Sequence, residues 1–131
     1  MDASTDPKRV LVVDDEPNIV TSITFLMERA GFAVDVARDG NQALAALNQA
    51  IPDVVLLDVM MPGLDGYEVC QQIRKSDRHA NTKIVMLTAR GREMEKQRGL
   101  DVGADAYVTK PFSTRDLVRQ VKDMLDYRPS I

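Results

Sequence analysis

The 131-residue chain has the length of a single domain, and such a chain can bury a sizeable core without disulfides or metal ions to hold it together. Its 44% apolar and 28% charged residues are ordinary for a globular protein, and a net charge of -3 without a long basic run argues against a nucleic-acid surface. One cysteine excludes an internal disulfide, and the sequence shows neither signal-peptide order nor the ~20 apolar residues of a membrane span, so we expect a cytoplasmic protein.

Short runs of apolar, β-branched residues alternate along the chain with segments of helical periodicity. The strands predicted from these runs are, in chain order, residues 10–13, 32–36, 54–57, 84–87 and 106–109. The predicted helices are residues 17–30, residues 39–50, a segment around Val69, Cys70 and Ile73, residues 92–102 and residues 113–127. Five strand–helix units predict an α/β fold with a doubly wound parallel sheet. One domain then occupies residues 9–127, between tails at residues 1–8 and 128–131.

Polar side chains follow four of the five predicted strands. They are Asp14 and Asp15 after the first strand, Asp58 after the third, Thr88 after the fourth and Lys110 after the fifth. Asp58 interrupts an apolar run, where a carboxylate is costly unless it is paired or used. Because ligands of parallel α/β sheets bind outside the carboxyl ends of the strands, we expect these groups to share one site.

The residue types in this set indicate phosphoryl chemistry. Three carboxylates in one pocket cannot comfortably be ionised together without a cation. Oxygen ligands of this kind suit Mg²⁺, which is usually bound by one or two carboxylates together with water and phosphate oxygens of the substrate. Lys110 adds positive charge and Thr88 adds a hydroxyl donor, so the set predicts a phosphoryl-binding site with Asp58 in the nucleophile position.

Four segments, VLVVDDE, DVVLLDVMMPGLDG, IVMLTA and AYVTKPF, resemble in this order the signature segments of the CheY-like response-regulator receiver domain of two-component signalling. The resemblance covers about residues 9–127. It implies the flavodoxin-like strand order 2-1-3-4-5 with five helices on both faces of the sheet.

The resemblance also implies roles for individual residues. Asp58 would accept the phosphoryl group, and Mg²⁺, or Mn²⁺ as a substitute, would bind Asp14, Asp15, Asp58 and the backbone carbonyl of Met60. The donor implied is the phosphohistidine of a sensor histidine kinase or of a histidine phosphotransfer protein. Self-phosphorylation and slow autodephosphorylation would make the domain an enzyme only in a limited sense.

The output is implied in the same way. Thr88 and Lys110 would contact the phosphoryl oxygens, Thr88 and Tyr107 would form the switch as Tyr107 turns inward, and the bond before Pro111 would be cis. The switch would favour binding of a downstream protein partner or a phosphorylation-dependent dimer, without contact of this domain with nucleic acid or membrane.

The surface expected to carry this output bears charges of both signs. They are Arg98, Asp101, Asp105, Arg115 and Arg119. Receivers of winged-helix transcription factors often dimerise through such charges. Ala106 stands where those receivers usually have an acid, and Gln120 where they often have an arginine, so the set of ion pairs for such a dimer is incomplete. We expect a stand-alone receiver that binds a partner protein, with the N-terminal domain of a longer regulator as the other case.

Three other functions share parts of the pattern. A phosphatase of the haloacid-dehalogenase type needs a second acid two residues after its nucleophile, where this chain has Met60. A flavodoxin must cradle a phosphate in its first loop, where Asp14, Asp15 and Glu16 would repel it. A degenerate receiver that serves only for docking is the third alternative, although every required site residue is present. Glu16 is interpreted as a helix-terminus charge, Cys70 as core packing and His79 as solvated surface.

Overall fold

The structure, a computed structural model, describes residues 7–61, 63–89 and 101–125, and within these ranges five strands form one parallel sheet. The strands are β1 (Arg9–Val13), β2 (Ala33–Ala37), β3 (Val54–Asp58), β4 (Lys83–Ala89) and β5 (Ala106–Lys110). Their order is β2-β1-β3-β4-β5, which confirms the flavodoxin-like arrangement. All four pairings are parallel, so the carboxyl ends of the five strands lie at the same edge.

Four α-helices and one short 3-10 helix accompany the sheet in the described part of the chain. They are α1 (Pro17–Arg29), α2 (Gly40–Gln49), α3 (Gly66–Lys75), the 3-10 helix Asp77–His79 and α4 (Thr114–Met124). The helix predicted at residues 92–102 lies almost entirely outside the described residues. None of the described helices has the length and apolar character required to cross a membrane.

Local sequence accounts for where these helices begin. Pro17 opens α1 directly after the acidic residues that follow β1, a position where its missing N–H costs nothing. Side chains accept hydrogen bonds from backbone N–H groups in the first turns of the other three helices, namely Asp39 from Gln42, Asp65 from Glu68 and Ser113 from Asp116. The connections after β1 and β3 are therefore short, and they hold their polar residues close to the strand ends.

The core consists of two apolar layers, one on each face of the sheet. Strand residues alternate between the layers because successive side chains point to opposite faces. One layer packs under α2 and α3 and contains Leu11, Val13, Val55, Leu57, Ile84 and Met86. The other packs under α1 and α4 and contains Val10, Val12, Val54, Leu56, Val85 and Leu87. Burial on both faces explains why the central strands are continuous apolar runs.

Arg74 of α3 binds the segment that precedes β5. Its Nε donates to the Gly103 carbonyl at 2.9 Å, its Nη1 to the Thr82 carbonyl at 2.8 Å, and its Nη2 pairs with the Asp105 carboxylate at 2.6 Å. The same Asp105 oxygen accepts the backbone N–H of Ile84 at 2.8 Å. Gly103 has a φ of 105°, and a Cβ there would lie 2.8 Å from the Arg74 Cγ, so both its backbone conformation and the close contact require glycine.

Replacing Arg74 by alanine is expected to destabilise the fold by about 2 kcal/mol, because it leaves two carbonyls and a carboxylate without their charged donor. Urea unfolding measures the loss. Arg78→Ala is the matched control, since Arg78 is exposed, and it is expected to change the unfolding free energy by no more than ~0.5 kcal/mol. Equal losses in the two variants would show that the Arg74 contacts contribute nothing specific.

Candidate functional site

Three carboxylates and one ammonium group meet at the carboxyl edge of the sheet. Asp14 and Asp15 follow β1, Asp58 ends β3 and Lys110 ends β5. One oxygen from each carboxylate lies within 4.8 Å of an oxygen of the other two. The Lys110 Nζ lies 3.1 Å from Asp14 Oδ2 and 3.4 Å from Asp58 Oδ1. Strands that are distant in sequence thus bring four of the predicted site residues together.

The two innermost carboxylates are buried and held in place by backbone donors. Asp14 is 0% exposed and Asp58 4% exposed, whereas Asp15 faces solvent. Asp14 Oδ1 accepts the N–H of Glu16 at 2.9 Å, and Asp58 Oδ1 accepts the N–H of Met60 at 3.3 Å. The site therefore has a fixed inner pair of acids and an outer acid at its rim.

Burial decides the electrostatics of this group. It raises the pKa of Asp58 to about 6, the charge of Asp14 adds to this increase, and Lys110 and the Met60 N–H oppose it. Burial alone would lower the pKa of Lys110, but its hydrogen bond to Asp14 and the charges of Asp58 and Asp14 outweigh burial and raise it. Lys110 thus remains charged, and one ammonium faces more negative charge than it can neutralise.

This arrangement fits a hard divalent cation. Three carboxylates supply oxygen atoms close enough to share one ion, and Lys110, the cation beside Asp14 and Asp58, offsets only part of their charge. Mg²⁺ matches such a set because it prefers oxygen ligands and usually retains water and phosphate oxygens around few carboxylates. The Met60 backbone adjoins Asp58, since its N–H donates to Asp58 Oδ1 at 3.3 Å.

The remaining predicted residues lie on β4, on β5 and directly after β5. Thr88 is 2% exposed and lies one residue beyond Leu87, the β4 partner of Asp58 in the sheet. Tyr107 lies on β5, is partly buried, and its hydroxyl is 3.4 Å from that of Tyr67. The peptide bond between Lys110 and Pro111 is cis, as predicted.

Two sequence interpretations need correction. His79 was expected at the solvated surface, but it is 5% exposed, and its Nε2 lies 3.2 Å from the Leu47 carbonyl near the end of α2. Since a carbonyl only accepts, this nitrogen donates, and the imidazole satisfies a helix-end carbonyl. Glu16 is more than a helix-terminus charge, because its Oε1 also contacts Lys110 Nζ at 3.3 Å. Cys70 is packed in the core as expected, and burial raises its pKa to about 11.

Two of the charged residues expected at an output surface form ion pairs within the chain. Asp105 is engaged by Arg74 of the same chain. Arg119 lies 3.8 Å from Asp116, and both side chains are well exposed, so this pair contributes little. Arg98 lies outside the described residues, as does Arg90, which follows Thr88 by two positions.

Comparison with known proteins agrees with the fold. The sequence model of the response regulator receiver domain matches residues 10–122. A response regulator from Chloroflexus aurantiacus is 35% identical, with a TM-score of 0.87 over 92% of this chain and 99% of that chain. The chemotaxis response regulator CheY4 of Vibrio cholerae is 34% identical, with a TM-score of 0.85 over 91% of this chain and 99% of that chain. The BeF3-activated DrrB receiver domain is 31% identical, with a TM-score of 0.83 over 92% of this chain and 99% of that chain.

An acidic site at the carboxyl edge of a 2-1-3-4-5 sheet and a match over nearly the whole chain define one class of signalling protein. The chain belongs to the family of response regulator receiver domains of two-component systems. In general, such a domain lies between a histidine kinase and a downstream effector.

Proposed function

We propose that Asp58 accepts a phosphoryl group from the phosphohistidine of a sensor histidine kinase or of a histidine phosphotransfer protein. The observation that carries this proposal is the buried Asp58 carboxylate with Lys110 Nζ at 3.4 Å and two further acids at the same edge. An Asp58 oxygen attacks the phosphorus in line, the phosphorus–nitrogen bond to histidine breaks, and an aspartyl phosphate forms.

Lys110 is already in place for this transfer. Its ammonium lies between Asp14 and Asp58, so it can offset charge on the phosphoryl oxygens without first being reoriented. When bound, Mg²⁺ would be held by Asp14, Asp15, Asp58 and the Met60 carbonyl and would neutralise charge on the phosphoryl group. The backbone N–H groups that fix the two buried acids keep the nucleophile oriented.

Transfer is proposed to act on a protein-binding surface through Thr88 and Tyr107. Thr88 is buried beside the carboxyl end of β3, where its hydroxyl can follow a phosphoryl oxygen on Asp58. Its movement favours the inward orientation of Tyr107 and shifts an equilibrium that exists before phosphorylation. The surface around β5 and α4 then binds a downstream protein or a second copy of the chain.

Incubation with acetyl phosphate and Mg²⁺ tests the function. One phosphoryl group is expected per chain, stable in acid, labile in base, dependent on the divalent cation and located in the peptide that contains Asp58. Continuous release of product without an adduct would instead indicate a phosphatase. A chain that is never labelled, although folded, would be a docking module.

The phosphoryl group is expected to persist for minutes or longer. We expect Met60 and Arg90, two residues after Asp58 and Thr88, to flank the approach to Asp58. Neither has a carboxylate or amide that could orient an attacking water, and the Met60 side chain is half-exposed. Replacing Met60 by asparagine together with Arg90 by glutamate should accelerate loss, whereas Met60→Leu should not. The measurement is the decay of labelled protein after the donor is removed. Loss of the wild-type label within seconds, with no phosphatase present, would contradict this expectation.

A further inference from the structure

Tyr67 places a buried hydroxyl against the tyrosine that the proposed function treats as the switch. Tyr67 lies in the first turn of α3 and is 3% exposed. Its hydroxyl lies 3.4 Å from the hydroxyl of Tyr107, and either can donate. Buried tyrosine hydroxyls usually have a hydrogen-bond partner. The Tyr67–Tyr107 distance is longer than the roughly 2.5–3.0 Å usual between two hydroxyl oxygens, so this contact is a weak one that can be exchanged.

The position of Tyr67 is fixed by the connection that follows Asp58. Gly66, its neighbour, packs directly on the backbone of the phosphoacceptor strand: a Cβ at Gly66 would collide with the Asp58 carbonyl oxygen and lie 2.9 Å from the Val59 Cα. The Gly66 N–H also donates to the Val59 carbonyl at 3.1 Å. Gly66 therefore joins the backbone at Asp58 and Val59 to Tyr67 by direct contact.

Tyr107 meets Tyr67 from the other side. Its ring packs against the apolar layer that contains Tyr67, Met86 and Val59. Because its hydroxyl contacts a side chain that is almost fully buried, the ring of Tyr107 is turned towards the core in the arrangement described here. Tyr67 thus contacts Tyr107 in the inward orientation.

We propose that Tyr67 is a positioning residue for Tyr107, and that its hydroxyl stabilises the inward orientation. This gives the switch a second connection to Asp58, through the backbone after β3, beside the one through Thr88. The inference rests on the proposed function, since it takes Tyr107 as the residue that reorients. The net contribution of a neutral hydrogen bond corresponds to about two- to tenfold in the population of that orientation, and a contact of this length belongs towards the lower end of that range.

Beryllofluoride titration of Tyr67→Phe tests the proposal, because this variant loses only the hydroxyl. With 3-fluorotyrosine incorporated, the fluorine signal of Tyr107 reports its orientation, and tyrosine-to-phenylalanine variants assign the signals. The half-saturating concentration of the mimic is expected to rise by about two- to tenfold, since apparent affinity falls with the fraction of binding-competent protein. Without the mimic, the Tyr107 signal should move away from its saturated position.

Two comparisons separate positioning from a general loss of stability. Ile73→Val removes one buried methyl group from the same helix and retains both hydroxyls, so its half-saturation should equal that of the wild type. The fluorine signal of bound beryllofluoride gives the half-saturation of Tyr67→Phe, Tyr107→Phe and the double variant alike. The effect of the double variant should be smaller than the sum of the two single effects, because either substitution breaks the same contact.

Three results would overturn the role of Tyr67. The first is a half-saturating beryllofluoride concentration in Tyr67→Phe that is equal to or lower than that of the wild type. The others are a rise of the same size in Ile73→Val and additive effects of the two substitutions in the double variant. If the wild type responded normally to the mimic, such a result would leave the proposed function standing. A wild-type protein that gave no response to beryllofluoride would overturn the proposed function, and this inference with it.

Discussion

Asp58→Asn is expected to abolish phosphorylation by acetyl phosphate and by a cognate kinase. The variant keeps the size of the side chain, and its amide oxygen can still accept the Met60 N–H, but it has no anionic oxygen to attack phosphorus. Incorporation of label into the purified protein, followed by mapping of the labelled peptide, measures the effect. We expect the label to fall at least a hundredfold, which is essentially complete loss on the scale of nucleophile removal.

Asp35→Asn is the matched control for this substitution. Asp35 is exposed on β2 and pairs with Arg9, away from the carboxyl edge, so its loss should leave labelling unchanged. Labelling of Asp58→Asn at the wild-type level and in the same peptide would show that another residue accepts the phosphoryl group. Labelling of a different peptide would show that the variant uses an alternative acceptor.

The same substitution is expected to stabilise the protein when divalent cations are removed. The pKa of Asp58 is raised from 3.8 to about 6, chiefly by burial and then by Asp14. Between these two values the folded protein binds more protons than the unfolded chain, so the free energy of unfolding decreases as pH rises through this window. Above pH 6 the full cost of ionising Asp58 in the fold is present, on the order of 2–3 kcal/mol. Asparagine avoids that cost because it stays neutral.

Urea unfolding in the presence of a chelator measures this difference. The free energy of unfolding of Asp58→Asn should exceed that of the wild type by about 2 kcal/mol at pH 7.5. This gap should shrink steadily towards pH 4. Added Mg²⁺ should narrow the gap at pH 7.5, because an ion that binds the folded wild type more tightly than the variant stabilises the wild type more by mass action. A gap of the same size at every pH would mean that it arises from packing and not from ionisation of Asp58.

Much of the fold could be predicted because the central strands are buried on both faces. All five residues of β3 are buried, so the strand is a continuous apolar run, and Asp58 stands out at its end. Every predicted strand lies within two residues of the observed one. The strand order could not be predicted in this way, because nothing in the periodicity of this chain specifies which strands are neighbours. It was predicted from the resemblance to receivers.

The contacts that sequence reasoning missed join residues far apart in the chain. The pair of Glu16 and Lys110 and the contact of Tyr67 with Tyr107 arise only after the strands have been placed side by side. His79 shows the same limit: polar neighbours in sequence indicate surface, but packing against the end of α2 buries the ring. Periodicity reports which face of an element is covered, and it does not report which side chain covers it.

The strand order also has a consequence for folding during vectorial synthesis. In a β2-β1-β3-β4-β5 sheet, each strand after β1 pairs with a strand that precedes it in the chain, so the sheet can extend as the polypeptide leaves the ribosome. Lys110 lies at the end of β5, the last strand to be added. A nascent chain that has formed four strands therefore carries Asp14 and Asp58 without the Lys110 ammonium that offsets part of their charge. The ammonium reaches the two acids only with the final strand.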